Sequence, residues 1–129
     1  MHTITSLSVA GLFLRESRTD DGSIVWIDTP FRFPDGDNIP AYAELGPGFV
    51  RFYDDGDGYS HFAGLGIRME DDSMKKFLSA IAKSHGLVHT NVWEVEIVAS
   101  PEQAAATFAQ YMAAMHAFVK WENAREEAL

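Results

Sequence analysis

Most of the first half of this chain consists of short apolar runs separated by turns, and most of the second half shows longer helical periods. Before about residue 66, apolar runs of four to seven residues alternate with Asp-Gly, Gly-Pro-Gly and proline-containing turns, which is typical of strands and hairpins. After Asp72, apolar residues recur every three or four positions, which indicates helices. The order predicts an α+β fold, in which an antiparallel sheet of three to five strands in the first half packs against two main helices. The length of 129 residues predicts one domain over residues 1–129.

Individual elements follow from the same pattern. Residues 24–27 form a compact apolar run, and residues 39–45 and 49–53 flank a Gly-Pro-Gly turn, so we expect a strand followed by a hairpin. Residues 59–65 are expected to add a third strand to this group. Residues 4–14 have a partly helical spacing, which favours a short N-terminal helix.

The second half is predicted to hold helices over about 72–85 and 101–126. Between them, residues 88–98 alternate as a short hairpin. The side of this hairpin expected to be buried carries Trp93, Val95 and Ile97. The apolar face of the last helix is wider than one packing surface needs. It therefore either packs on the sheet or buries against a second subunit, with Phe118 and Trp121 as aromatic anchors.

The charge is concentrated in one part of the sequence. Thirteen of the nineteen acidic residues and four of the ten basic residues lie between Glu16 and Asp72, so this stretch carries the whole net charge of −9. Such a charge disfavours direct contact with nucleic acid or an anionic membrane surface and favours a protein partner with a basic surface. The chain has no cysteine and its first residues lack a basic leader segment, so we expect a cytoplasmic protein.

Predicted turns place many of these acids at the ends of the sheet, where they would form one or two negative rims. Together with Phe118 and Trp121, the residues predicted to bind a partner are Asp20, Asp21, Asp35, Asp37, Asp54, Asp55 and Asp57. The alternative interpretation is that the acidity only keeps the protein in solution.

One local cluster could support chemistry. Asp54, Asp55 and Asp57 lie in a glycine-containing turn close to His61, and carboxylates near a histidine can hold a divalent cation that activates water. Asp and Gly also favour tight turns on backbone grounds alone. An EF-hand loop counted from Asp55 fails, because its twelfth position is Gly66 instead of glutamate. We therefore predict no catalytic residue, no metal ligand and no cofactor.

The middle of the chain resembles the prokaryotic family known as domain of unknown function 1828. The residues that carry this resemblance are Thr29-Pro30-Phe31, Asp35-Gly36-Asp37-Asn38-Ile39, the segment Val50 to Gly56, and Leu65-Gly66-Ile67. The resemblance spans about residues 20–120, and this chain departs from the family pattern by an Asp57-Gly58 insertion. It implies a small accessory protein of bacteria, prophages and mobile elements, without an agreed activity.

These observations favour a non-catalytic protein-binding module with an acidic face. One concrete case is a mobile-element inhibitor of a host nucleic-acid-binding defence complex, an anti-CRISPR-like protein that mimics the charge of nucleic acid. A small metal-dependent hydrolase built around Asp54, Asp55, Asp57 and His61 is the first alternative. A structural or regulatory homodimer, such as an antitoxin-like accessory protein, is the second.

Overall fold

The structure, a computed structural model, describes residues 8–9, 12–13, 15–18, 21, 23–90 and 94–127. Its strands are β1 (Ser8–Val9), β2 (Leu12–Phe13), β3 (Arg15–Arg18), β4 (Ile24–Asp28), β5 (Tyr42–Gly46), β6 (Phe49–Tyr53), β7 (Val88–His89) and β8 (Val95–Ala99). Its helices are α1 (Asp57–Gly64), α2 (Asp72–Ser84) and α3 (Ala104–Glu127), with a 3-10 turn over Pro101–Gln103 before α3.

Six strands form the main sheet in the order β3-β4-β5-β6-β8-β7, and every neighbouring pair is antiparallel. Four of the six come from the first half of the chain, and helices follow. The predicted α+β fold is therefore confirmed, including the 39–53 hairpin and the two main helices. The second half also contributes β7 and β8, so the hairpin predicted over 88–98 extends the same sheet beyond β6.

The predicted N-terminal helix is wrong where its residues are described. β1 and β2 pair with each other antiparallel, Ser8 opposite Phe13 and Val9 opposite Leu12. Gly11 and the β-branched Val9 both disfavour a helix interior, and a hairpin lets the short apolar segment pair its backbone instead.

The predicted strand over 59–65 is also wrong, because this segment forms α1. Gly56 precedes the helix with a positive φ of 73°, and the Asp54 carboxylate accepts hydrogen bonds from the backbone N–H groups of Gly56 and Gly58. These bonds satisfy backbone N–H groups at the start of the helix, which have no carbonyl partner within the helix. Tyr59 and Phe62, one turn apart on α1, both pack on the core.

The two faces of the sheet differ. We call inner the face that carries Val25, Ile27 and Phe52, which are 0%, 6% and 0% exposed. The ring of Phe52 packs against Phe108 and Tyr111 of α3, so the core lies between this face and the helices. The outer face is the opposite one, and it includes Trp26, which is 42% exposed.

The wide apolar face of α3 is largely used inside this domain. Phe118 is buried and packs near Phe62 of α1, whereas Trp121 is half-buried, edge-on to the same Phe62 ring.

In the hairpin of the second half, Val95 is buried and Ile97 is partly buried, as predicted. Trp93 lies outside the described residues. Across the part of the chain that the structure describes, no helix combines the length and apolarity needed to cross a membrane.

Candidate functional site

Four aspartates gather at one end of the sheet, where β6 leads into α1. Asp57 is the first residue of α1, and it lines a surface cleft of about 320 Å³ together with Asp37 and His61. Asp35 is exposed beside them, with Oδ2 3.6 Å from the Nδ1 atom of His61. Asp55 is exposed in the turn before Asp57. We call the group Asp35, Asp37, Asp55 and Asp57 the acidic end.

Asp54 belongs to the interior instead. It is 3% exposed, and its carboxylate accepts backbone hydrogen bonds from Gly56, Gly58 and Val95 at 3.2, 3.1 and 3.0 Å. Burial raises the pKa of Asp54 to about 6, against the lowering effect of these hydrogen bonds. Asp54 therefore ties β8 and α1 to the turn, and it is not available to a ligand at the acidic end.

His61 connects the acidic end to a buried glutamate. Its Nε2 lies 2.5 Å from Oε1 of Glu122, and its Nδ1 lies 3.0 Å from Oδ2 of Asp37. Burial alone would lower the pKa of His61, but the hydrogen bonds to Asp37 and Glu122 and the charge of Asp35 raise it above its usual value. A carboxylate at each ring nitrogen requires both nitrogens to donate, so the arrangement favours the imidazolium form.

The ring of His61 is held in place from a third direction. Phe33 stacks on it with the ring centroids 3.7 Å apart and the planes 14° from parallel. The loop that carries Phe33 is closed by a hydrogen bond from its backbone N–H to the carbonyl of Asp37, and by one from the Asp37 N–H to the Asp35 carboxylate. Asp35 and Asp37 are thereby fixed on the open side of the imidazole.

The same residues could hold a cation. Asp35, Asp37 and His61 each offer one ligand atom, and these atoms all lie within 4.8 Å of one another. The hydrolase hypothesis places the ligands at Asp54, Asp55, Asp57 and His61. Of these residues, Asp54 is buried away from the cleft. Asp57 lines the cleft together with His61, and its carboxylate accepts a 2.5 Å hydrogen bond from the Tyr42 hydroxyl.

The other residues predicted to bind a partner lie elsewhere. Asp21 is exposed near the start of β4, at the end of the sheet opposite the acidic end. Asp20 lies outside the described residues. Phe118 contributes to the core, and Trp121 keeps part of its ring accessible beside Phe77, at 5.8 Å between ring centroids.

Sequence reasoning missed Glu122, whose partner His61 is 61 positions away. A signal was present, because Glu122 follows Met115 by seven residues and Phe118 by four, which places a glutamate on the apolar face of α3. An acid at such a position requires a buried partner, although the partner's identity depends on how α1 packs.

The comparisons with known proteins identify a family and no activity. No curated protein matches this chain, and no solved structure matches it. The family described as "domain of unknown function DUF1828" matches residues 29–118. This match includes all four aspartates of the acidic end, the helices α1 and α2, and most of α3. The chain is therefore a member of the DUF1828 family.

Proposed function

We propose that this protein is a non-catalytic binding module whose acidic end engages a basic surface on a protein partner. The observation that supports this proposal is that Asp37 and Asp57, from two separate segments of the chain, line one cleft. Asp35 is exposed next to His61 of this cleft, and Asp55 is exposed in the turn before Asp57.

In the described part of the chain, no lysine or arginine forms an ion pair with any of the four aspartates of the acidic end. His61 pairs with Asp35 and Asp37 at 3.6 and 3.0 Å, and the Tyr42 hydroxyl donates to Asp57. Because one imidazolium offsets only one of the four charges, an excess of negative charge remains for an external cation, which in a protein partner is supplied by lysine and arginine side chains.

The concrete case that we favour is an inhibitor of a nucleic-acid-binding complex. A surface that binds phosphates is basic, so the carboxylates of the acidic end can occupy it in place of nucleic acid. The net charge of −9 supports attraction over distance, and steering by charge raises association rates at low ionic strength. A role in anti-defence, carried by a mobile element, belongs to this proposal.

The test compares the wild type with an Asp35→Asn, Asp37→Asn, Asp57→Asn variant. Asparagine preserves the side-chain size and turn chemistry and removes three charges. The control variant carries Glu70→Gln, Glu102→Gln and Glu127→Gln, which removes three charges from exposed sites elsewhere. Each protein is immobilised and exposed to lysate of the native host, and retained proteins are quantified by mass spectrometry at low and high salt.

We expect a retained protein that is lost with the aspartate variant, kept with the control, and weakened by salt. Direct titration with that purified protein should then show the same order of affinities. Equal retention by both variants, or retention that is insensitive to salt, would contradict the proposal.

A second candidate, a metal-dependent hydrolase, is favoured by one observation. The Asp35, Asp37 and His61 ligand atoms converge, and a buried carboxylate on the far nitrogen of a ligand histidine is a common supporting arrangement. If this candidate is right, Mg²⁺ or Mn²⁺ should raise the melting temperature, and Asp37→Asn should abolish that rise. An unchanged melting temperature at millimolar Mn²⁺ would remove the candidate.

A further inference from the structure

Three aromatic rings lie side by side on the outer face of the sheet. Trp26 of β4 pairs in register with Tyr42 of β5, which pairs with Tyr53 of β6. The Trp26 and Tyr42 rings meet edge to face at 6.4 Å, and the Tyr42 and Tyr53 rings stack at 5.5 Å. We call Trp26, Tyr42 and Tyr53 the aromatic row. Trp26 is 42% exposed and Val98 on the same face is 58% exposed, whereas Tyr53 is buried, at 6%. A partner can therefore reach the aromatic row at Trp26.

The protein's own Arg51 shows what the aromatic row can bind. Its guanidinium carbon lies 3.9 Å from the centroid of the Tyr53 ring, a cation–π contact. The same guanidinium donates hydrogen bonds to Glu94 at 2.8 Å and to Glu96 at 2.6 Å. Arginine on this face is therefore held by a ring below it and carboxylates beside it.

Carboxylates also lie beside the other rings of the aromatic row, from Tyr53 towards Trp26. The Tyr42 hydroxyl donates to Asp57, which joins the aromatic row to the acidic end, and Glu44 lies on β5 two positions from Tyr42. The carboxylates on or beside the face are Asp28, Glu44, Asp57, Glu94 and Glu96. The arginines with described side chains near them are Arg51 and Arg32, the latter 4.0 Å from Asp28. The backbone of Arg15 pairs with that of Asp28 in strand register. Negative charge is in excess.

We infer that the outer face binds an arginine-bearing segment of the protein partner, with a partner guanidinium stacked on the exposed Trp26 ring beside Tyr42. Asp57 and Glu44, which already lies 3.9 Å from Arg51, supply the countercharges. Arginine fits better than lysine, because its planar guanidinium stacks on rings and is less strongly hydrated than an ammonium. This inference rests on the proposed function and adds the chemistry of the partner to it. The acidic end attracts either basic residue, whereas the aromatic row selects arginine.

The probes are two fluorescent eight-residue peptides, one alternating arginine with serine and one alternating lysine with serine. Their binding is measured by fluorescence anisotropy at low salt. For the wild type we expect the arginine peptide to bind about two- to fivefold more tightly, since an exposed cation–π contact contributes about 0.5–1 kcal/mol and the more strongly hydrated ammonium makes it less readily. Trp26→Ala should remove this preference, and Trp26→Phe should retain part of it because a ring remains.

Phe77→Ala is the matched control, since it removes another exposed aromatic ring, on α2, and should leave the preference intact. The inference is overturned if both peptides bind the wild type equally, or if neither binds. It is also overturned if Trp26→Ala and Phe77→Ala have the same effect. A different outcome would count against the proposed function, namely that an Asp35→Asn, Asp37→Asn variant, which leaves Asp57 beside the aromatic row unchanged, binds both peptides as tightly as the wild type.

Discussion

The two faces of the sheet are made by the same strands, yet they have opposite properties. Val25 and Trp26 are neighbours on β4, and the first is completely buried while the second is 42% exposed. Phe52 on β6 packs into the core, while the preceding Arg51 holds Glu94 and Glu96 on the outside. Because side chains alternate along a strand, one face stabilises the fold and the other is available for binding.

The largest expected effect is on the inner face. Phe52→Ala removes a completely buried ring in contact with Phe108 and Tyr111, and should lower the free energy of unfolding by about 3–5 kcal/mol. Urea denaturation followed by circular dichroism measures this loss. A loss below 1 kcal/mol would mean that the core does not lie between the inner face and α3.

Asp54→Asn tests the boundary between the core and the acidic end. Asparagine has one acceptor oxygen, so it cannot accept from both Val95 and Gly58 as the two carboxylate oxygens do. We expect a loss of about 1–3 kcal/mol at pH 4, where the folded wild type carries Asp54 protonated and uncharged, because a buried donor is left without an acceptor in the variant. Equal stability of the variant and the wild type at pH 4 would contradict the structural role of Asp54.

The same variant makes a prediction about pH. The folded pKa of Asp54, about 6, lies above its ordinary value of 3.8, so the folded state binds this proton more tightly than the unfolded state. The resulting stabilisation is fully present below about pH 4 and is lost as the pH rises through 6. The wild type should therefore lose stability relative to Asp54→Asn over this interval. A parallel pH dependence of the two proteins would show that Asp54 does not titrate in this range.

A substitution of Trp121, on the outward surface of α3, should have a smaller effect on stability. It also tests whether the protein self-associates. We predict that the wild type is a symmetric dimer with Trp121 near the contact, and that Trp121→Glu gives a folded monomer less stable by about 1–2 kcal/mol. Light scattering measures the assembly, and Ala113→Glu, an exposed site on the same helix, is the control. A monomeric wild type at tens of micromolar would remove the dimer, and an unfolded Trp121→Glu would assign Trp121 to the core.

The smallest expected effect completes the comparison of the two faces. Trp26→Ala on the outer face should change the free energy of unfolding by no more than about 1 kcal/mol, because its ring is partly exposed and only one cross-strand aromatic contact is lost. The same urea titration serves as the measurement, with Phe52→Ala as the reference. A loss as large as that of Phe52→Ala would mean that the outer face is also covered.

Part of the candidate site could be predicted from the sequence. The acids of the Asp35-Gly36-Asp37 and Asp54–Gly58 segments were expected in turns at the ends of the sheet, and the structure has them in turns and at the start of α1. Their different environments could not be read from the sequence. Asp54 and Asp55 are adjacent and chemically identical, and only the packing of β8 and α1 makes the first buried and the second exposed.

The sequence by itself determined the 39–53 hairpin and the two main helices, because hydrophobic period and turn residues act over a few positions. It did not determine the state of residues 59–65, where Asp54 supplies the helix start through its side chain. The aromatic row, the contact between His61 and Glu122, and the gathering of Asp35 and Asp37 beside Asp57 were decided only by the tertiary structure. Each joins residues from different elements, and strand register and helix docking fix such distances through the burial of the whole core.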